Sequence, residues 1–265
     1  VAELARAPTA ADVAHPAEER MRATATAAAA TPVEVSPEAE AVLAKLASAM
    51  HAETMAGRKS MRIHSKIAIM GMEGSIETTR KAPGQMRLHA MNPFAGELIQ
   101  TCDGEHGWSS NAIQGLRELK GPELANAKRA ARFDANVAWR DLFAKVELLE
   151  RREVDGKNAY VVKFTPREGE GEPIVTFLDP ETWLPFRSEF TVESEMGKVH
   201  AASEISDYKE FAGVPQATKT VMKVNGLDVV LTVEGVEWDV DVDPSQFEKP
   251  PKIEKPPKIE KPAEK

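Results

Sequence analysis

From about residue 60 to residue 240 the sequence falls repeatedly into short runs in which apolar and polar residues alternate, joined by glycine-containing turns. Met61, Ile63, Ile67 and Ile69 alternate with Arg62, His64 and Lys66, the period of a strand with one face buried. Turn chemistry recurs at Gly71-Met72-Glu73-Gly74, Pro83-Gly84, Asp103-Gly104, Asp155-Gly156, Met196-Gly197 and Asn225-Gly226. These signals predict strands over 61–69, 75–81, 85–91, 97–102, 105–109, 145–154, 158–165, 174–178, 186–195, 198–208, 218–224 and 227–239. Strands that follow one another through tight turns pair antiparallel, and nothing alternates strand with helix in the rhythm of a Rossmann fold or TIM barrel. A sheet of about ten twisted strands curls rather than lying flat. The expected class is therefore α+β: a strongly curved antiparallel sheet, an unclosed β-barrel, with helices covering an apolar concave face.

Helical signals are few. Ser36-Pro37-Glu38 places a capping hydroxyl, a proline and a carboxylate where a helix starts, and Val42, Leu43, Leu46 and Met50 recur at helical spacing through about Met55, before Gly57. Two further pieces are predicted, one from Pro122 to Ala131 and one over 137–145, which holds Trp139, Leu142 and Phe143. Residues 1–35 are rich in Ala, Pro and Thr and nearly lack large aliphatics, so a disordered or weakly helical leader is expected. At the other end Lys249–Glu254 (KPPKIE) repeats as Lys255–Glu260, and paired prolines with alternating charge predict a stiff, solvated tail over 249–265. Between them, 36–248 reads as one folded unit.

Composition removes several functions. With 34 Lys and Arg against 42 Asp and Glu the net charge is −8, which repels phosphate backbones, so no nucleic-acid partner is expected. A single cysteine, Cys102, rules out an internal disulfide and a Cys-rich metal site. No stretch approaches the roughly 20 apolar residues of a membrane span. The first residue, Val1, and the Ala- and Pro-rich leader fit a chain from which an export signal has been cut, giving a periplasmic or secreted protein as the expectation.

Several signposts, in order, resemble the LolA/LolB-like superfamily of outer-membrane lipoprotein carriers, above all its lipoprotein-sorting relatives. They are Gly74, Thr78, Lys81, Pro83 and Arg87; Asp103-Gly104 with Gly107-Trp108; and Val154-Asp155-Gly156 with Tyr160-Val161-Val162. Leu178-Asp179-Pro180-Glu181-Thr182, Leu184-Pro185, Asp207-Tyr208 and Phe247-Glu248 with Pro250 complete the set. The resemblance spans roughly Ala41 to Pro250. It implies an unclosed barrel whose helices form a lid over a cavity for acyl chains, hence a non-enzymatic periplasmic carrier or sensor of lipid or lipoprotein. On that basis Met61, Ile63, Ile67, Ile69, Ile76, Met86, Leu88 and Trp108 are expected to line the cavity, with Arg80 or Arg87 as polar anchor. Methionine suits a site that must adapt to disordered chains, and Met61, Met72, Met86 and Met91 fall in the first strands. The alternative is a protein–protein module of a cell-envelope complex, working through the helices or the proline-rich tail.

Other chemistry is weakly signalled. Cys102, Asp103 and His106 could be drawn as a nucleophile with its base, but they straddle a tight hairpin that sends neighbours to opposite sides. His51, His64, His89 and His200 are scattered and form no HExxH pattern. Asp239, Asp241 and Asp243 share a strand face but lack the glycine-centred loop of a calcium site. GxSxG, P-loop and GxGxxG motifs are absent, so no catalytic residue, metal or cofactor is expected.

Overall fold

The computed structural model describes residues 32–135, 137–194 and 197–254. Most of the leader and the second copy of the tail repeat lie outside them, and so does the Met196 part of one predicted turn. The described chain from Val33 onward is one unit built on a single curved sheet of 14 strands. It opens with β1 (Glu34–Val35), then α1 (Pro37–Ala49) and α2 (Ala52–Ala56). An unbroken meander follows: β2 (Ser60–Ile69), β3 (Met72–Lys81), β4 (Gln85–Asn92), β5 (Gly96–Cys102), β6 (Gly107–Asn111) and β7 (Gly115–Glu118). After α3 (Gly121–Ala131) and α4 (Trp139–Leu142) come β8 (Lys145–Val154), β9 (Lys157–Thr165), β10 (Ile174–Leu178), β11 (Pro185–Ser194), β12 (Gly197–Phe211), β13 (Val214–Val224) and β14 (Leu227–Trp238).

Across the sheet the order is β1-β8-β9-β10-β11-β12-β13-β14-β2-β3-β4-β5-β6-β7. The last strand of the chain thus pairs with the first long one, Leu231 opposite Ile67 and Trp238 opposite Met61, and β1 and β7 are left as the two edges. An unclosed, curved sheet is as expected. Two features differ: β1 pairs parallel with β8, so the sheet is mixed, and β7 occupies a stretch the alternation did not mark. Four residues are too few to establish a period of two.

The first helix starts as the sequence predicts, Ser36 Oγ accepting the N–H of Ala39 at 3.2 Å with Pro37 at its first position. It does not run through to Met55. His51 adopts a left-handed conformation (φ 51°) and its Nδ1 pairs with the Gly213 carbonyl at 2.7 Å, which divides the segment into α1 and α2.

Register alone sorts the side chains into two faces. Met61, Ile63, Ile67 and Ile69 of β2 align with Arg80, Thr78, Gly74 and Met72 of β3, and onward with Met86 and Leu88 of β4 and Cys102 of β5. On this face lie the helices. The main core joins Val42, Leu43, Leu46 and Met50 of α1 to Trp139, Phe143, Val146, Val162, Phe164, Leu178 and Val214, and α3 sets Ala131 against Met86 and Cys102. Gly107 makes that docking possible, because a Cβ there would meet Leu119 and Leu124 Cδ1 atoms at 3.1 Å. Gly107 thereby admits the start of α3, on the face away from Trp108.

The opposite face of β2 to β6 is covered by the C-terminal segment. Ser60 Oγ donates to the Val240 carbonyl, Lys81 Nζ to that of Val242, and a 3₁₀ turn at Pro244–Phe247 packs on β4 and β5 with Phe247 fully buried. The first KPPKIE copy continues over β6, where buried Ser110 donates to the Pro251 carbonyl at 2.8 Å and its Oγ accepts the Ile253 N–H at 3.0 Å.

Candidate functional site

Where α1, α3 and α4 cross β9, β10 and β11, their packing leaves a cavity of about 290 Å³. Its walls are Leu46 of α1, Leu142 and Phe143 at the end of α4, and Phe164 and Ile174 from the sheet. Alternation places Thr176 and Ser188, a cross-strand pair with hydroxyls 3.4 Å apart, on the cavity side of β10 and β11. The remaining polar groups come from α3. Arg129 donates to Asn126 Oδ1 and to the Glu170 carbonyl, both at 2.7 Å, and lies 3.4 Å from the Glu170 carboxylate. Burial pushes the Arg129 guanidinium down, opposed by the Glu170 charge. The cavity is thus mostly hydrocarbon with one held cation and a few hydroxyl and amide groups, the composition of an amphiphile site. Its volume sits at the low end of ligand pockets (roughly 300–1,000 Å³), so it accommodates one stretch of chain as it stands.

The strand residues predicted from the sequence lie on the same face, closer to the other edge. Met61, Ile63, Ile67 and Met86 are buried there, and Ile69, Ile76 and Leu88 are half-buried. Arg80 joins them, aligned between Met61 and Met86. Its Nε is enclosed without a hydrogen-bond partner among the described residues, and burial lowers its pKa to about 10. Arg87 and Trp108 project from the other face, Arg87 aligned with Thr79 and Thr101, Trp108 aligned with Thr101. The two arginines that sequence could not separate are therefore divided by one step of register, and only Arg80 shares a face with the methionines.

The alternative chemistries do not assemble. Cys102 is fully buried with its thiol pushed up by burial, while His106 is exposed in the turn. Asp103 works as a turn acceptor, taking the N–H groups of Glu105 at 2.8 Å and His106 at 2.7 Å. Asp239 binds Arg58 and the Lys59 N–H, each at 2.8 Å, whereas Asp243 accepts the Ser245 N–H, so the acidic triplet is split between two backbone tasks. Among the described residues no three His, Cys, Asp or Glu side chains come together as a metal site, and no helix is long and apolar enough to cross a membrane.

The cavity-lining residues Asn126, Arg129, Phe164, Ile174, Thr176 and Ser188 escaped sequence reasoning. The only available signal was Arg129 in an alanine-rich stretch otherwise fit for close packing, where Ala127 and Ala131 are buried.

The fold has close structural counterparts. A domain described as a putative outer membrane lipoprotein-sorting protein, from Vibrio parahaemolyticus, superposes with a TM-score of 0.56 at 12 % identity, covering 80 % of this chain and 97 % of its own. A LolA superfamily protein from Nitrosomonas europaea gives 0.54 at 16 % identity with 80 % and 97 % covered. A DUF1329 family protein from Desulfovibrio piger gives 0.54 at 15 % identity with 78 % and 97 % covered. The chain therefore has a LolA-like fold. No protein-family model matches the sequence, and no curated protein does.

Proposed function

We propose that the protein is a periplasmic carrier or sensor that takes an acyl chain of a lipid or lipoprotein beneath its helices. The observation that carries this reading is the cavity between α1, α3, α4 and β9–β11, apolar in its walls and supplied with a single held cation. An acyl chain occupies the Leu46, Phe143, Phe164 and Ile174 end. From there the path continues along the same face over Met86, Leu88, Ile76, Met61, Ile63, Ile67 and Ile69, where Arg80 anchors an anionic head group. Arg80 fits that role because a half-buried guanidinium whose enclosed Nε lacks a partner among the described residues gains from an incoming anion. Arg87 and Trp108 lie outside the path. The LolA-like fold supports the reading as an analogy of architecture.

Titration with a fluorescent fatty acid, together with native mass spectrometry of protein taken from its own envelope, tests it. Uptake is expected in the natural chain and is expected to be lost on Ile174→Trp, which fills the cavity. No uptake by the natural chain, or unchanged uptake in the variant, defeats the proposal. The alternative, an accessory module of an envelope complex, would use the repeat tail. Because 249–254 pack on the protein's own sheet, its deletion test must begin at Lys255.

A further inference from the structure

The large hydrophobic side chains that are exposed among the described residues are Met70, Met72, Met91, Phe94, Ile113 and Leu227, and all six fall at one rim of the sheet. Strand order sets four hairpin tips side by side: β13–β14 with Leu227, β2–β3 with Met70 and Met72, β4–β5 with Met91 and Phe94, and β6–β7 with Ile113. Register confirms the common end, since Val229 is opposite Ile69, Ser75 opposite Met91 and Leu98 opposite Asn111. Three of the tips converge on an apolar notch of about 500 Å³, lined by Ile69, Met70, Phe94, Met222, Val224 and Leu227 among others. Gly74 permits this: a Cβ there would lie 2.0 Å from the Met91 carbonyl, so only glycine lets the β4–β5 tip fold across β3 toward Ile67.

Charge decides what such a rim meets. Residues 69–72, 91–96, 111–116 and 224–227 contain no Asp, Glu, Lys or Arg, although these make up 29 % of the chain. The opposite rim, in contrast, carries Arg58, Lys59, Asp103, Glu105 and Asp239. Directly behind the apolar tips come Glu73, Glu97, Asp228, Lys223 and Arg117, a boundary of charge one or two residues deep. A protein interface also keeps charge to its margin, but its apolar groups share one closed patch, whereas here they stand on four successive hairpin tips at the end of the sheet. Four uncharged, methionine-, phenylalanine- and leucine-bearing tips backed by a charged line match instead the shallow apolar layer of a membrane interface. The net charge of −8 argues against an anionic surface.

The geometry points to this rim as a membrane-docking edge that seats in a zwitterionic phospholipid bilayer. It shares no lining residue with the cavity under the helices, and Phe94 and Leu227 lie beyond Ile69, where the proposed acyl path ends, so either proposal can fail alone. Flotation of the full chain with phosphatidylcholine vesicles tests it, with Phe94→Glu, Leu227→Glu and their combination as variants whose exposed positions leave the fold intact by circular dichroism. The natural chain is expected to float, and each charge is expected to weaken partitioning roughly tenfold or more, with fatty-acid uptake unchanged. Phosphatidylglycerol mixed into the vesicles is expected to give no gain. Failure of the natural chain to float, floating that requires the anionic lipid, or a dimer in light scattering that Phe94→Glu dissociates would each overturn the proposal.

Discussion

The two faces of the sheet are covered by different means, and the difference bears on function. One is covered by helices that touch the sheet through a few large side chains and leave open volume over β9 to β11, with the Arg80 Nε enclosed and unpartnered among the described residues over β3. The other is covered by an extended C-terminal segment that follows the strands through backbone contacts and seals with Phe247. A helix presents a convex cylinder to a curved sheet, so gaps remain where the curvatures disagree. A chain laid flat follows the curvature of the sheet more evenly. The proposed function uses the helical side, while the C-terminal side is held by backbone contacts and Phe247.

The largest test of that contrast is Phe247→Ala, which removes the fully buried seal and is expected to cost about 3–5 kcal/mol in urea unfolding. An equal loss from Leu142→Ala, beside the cavity, would abolish the distinction. Arg80→Met is expected to act in the other direction, raising stability by up to about 1 kcal/mol because a half-buried cation whose Nε lacks a partner among the described residues is replaced by hydrocarbon. The same variant is expected to lose affinity for a fatty-acid carboxylate in fluorescence titration. The smallest effect concerns Asp239, which pins the start of the C-terminal segment. The Lys59 N–H and the Arg58 guanidinium hold its carboxyl below the usual range. Its contribution is therefore complete above the ordinary carboxylate pKa and fades as pH falls through the lowered one. A decline of thermal midpoint between about pH 4 and pH 2 should be shallower in Arg58→Ala.

Strand after strand was legible because glycine turns and a period of two are local properties. Ser36 and Pro37 announced α1 for the same reason. The break at His51 was not legible, since it depends on the Gly213 carbonyl arriving from β13. Nor was the closure of β14 on β2, a pairing between residues far apart in sequence. The apolar set from Met61 to Leu88 was readable as a common face, although none of it lines the cavity. The walls at Phe164, Ile174 and Ser188 were not, because they become walls only when α1, α3 and α4 are laid over them.

By itself the sequence determined a curling antiparallel sheet with an apolar face, since alternation and turn residues act within a few positions of one another. Only the tertiary structure decided which arginine shares that face, where the helices leave space, and that four uncharged hairpin tips stand together at one rim. Those depend on register and strand order, which are settled by the whole sheet at once.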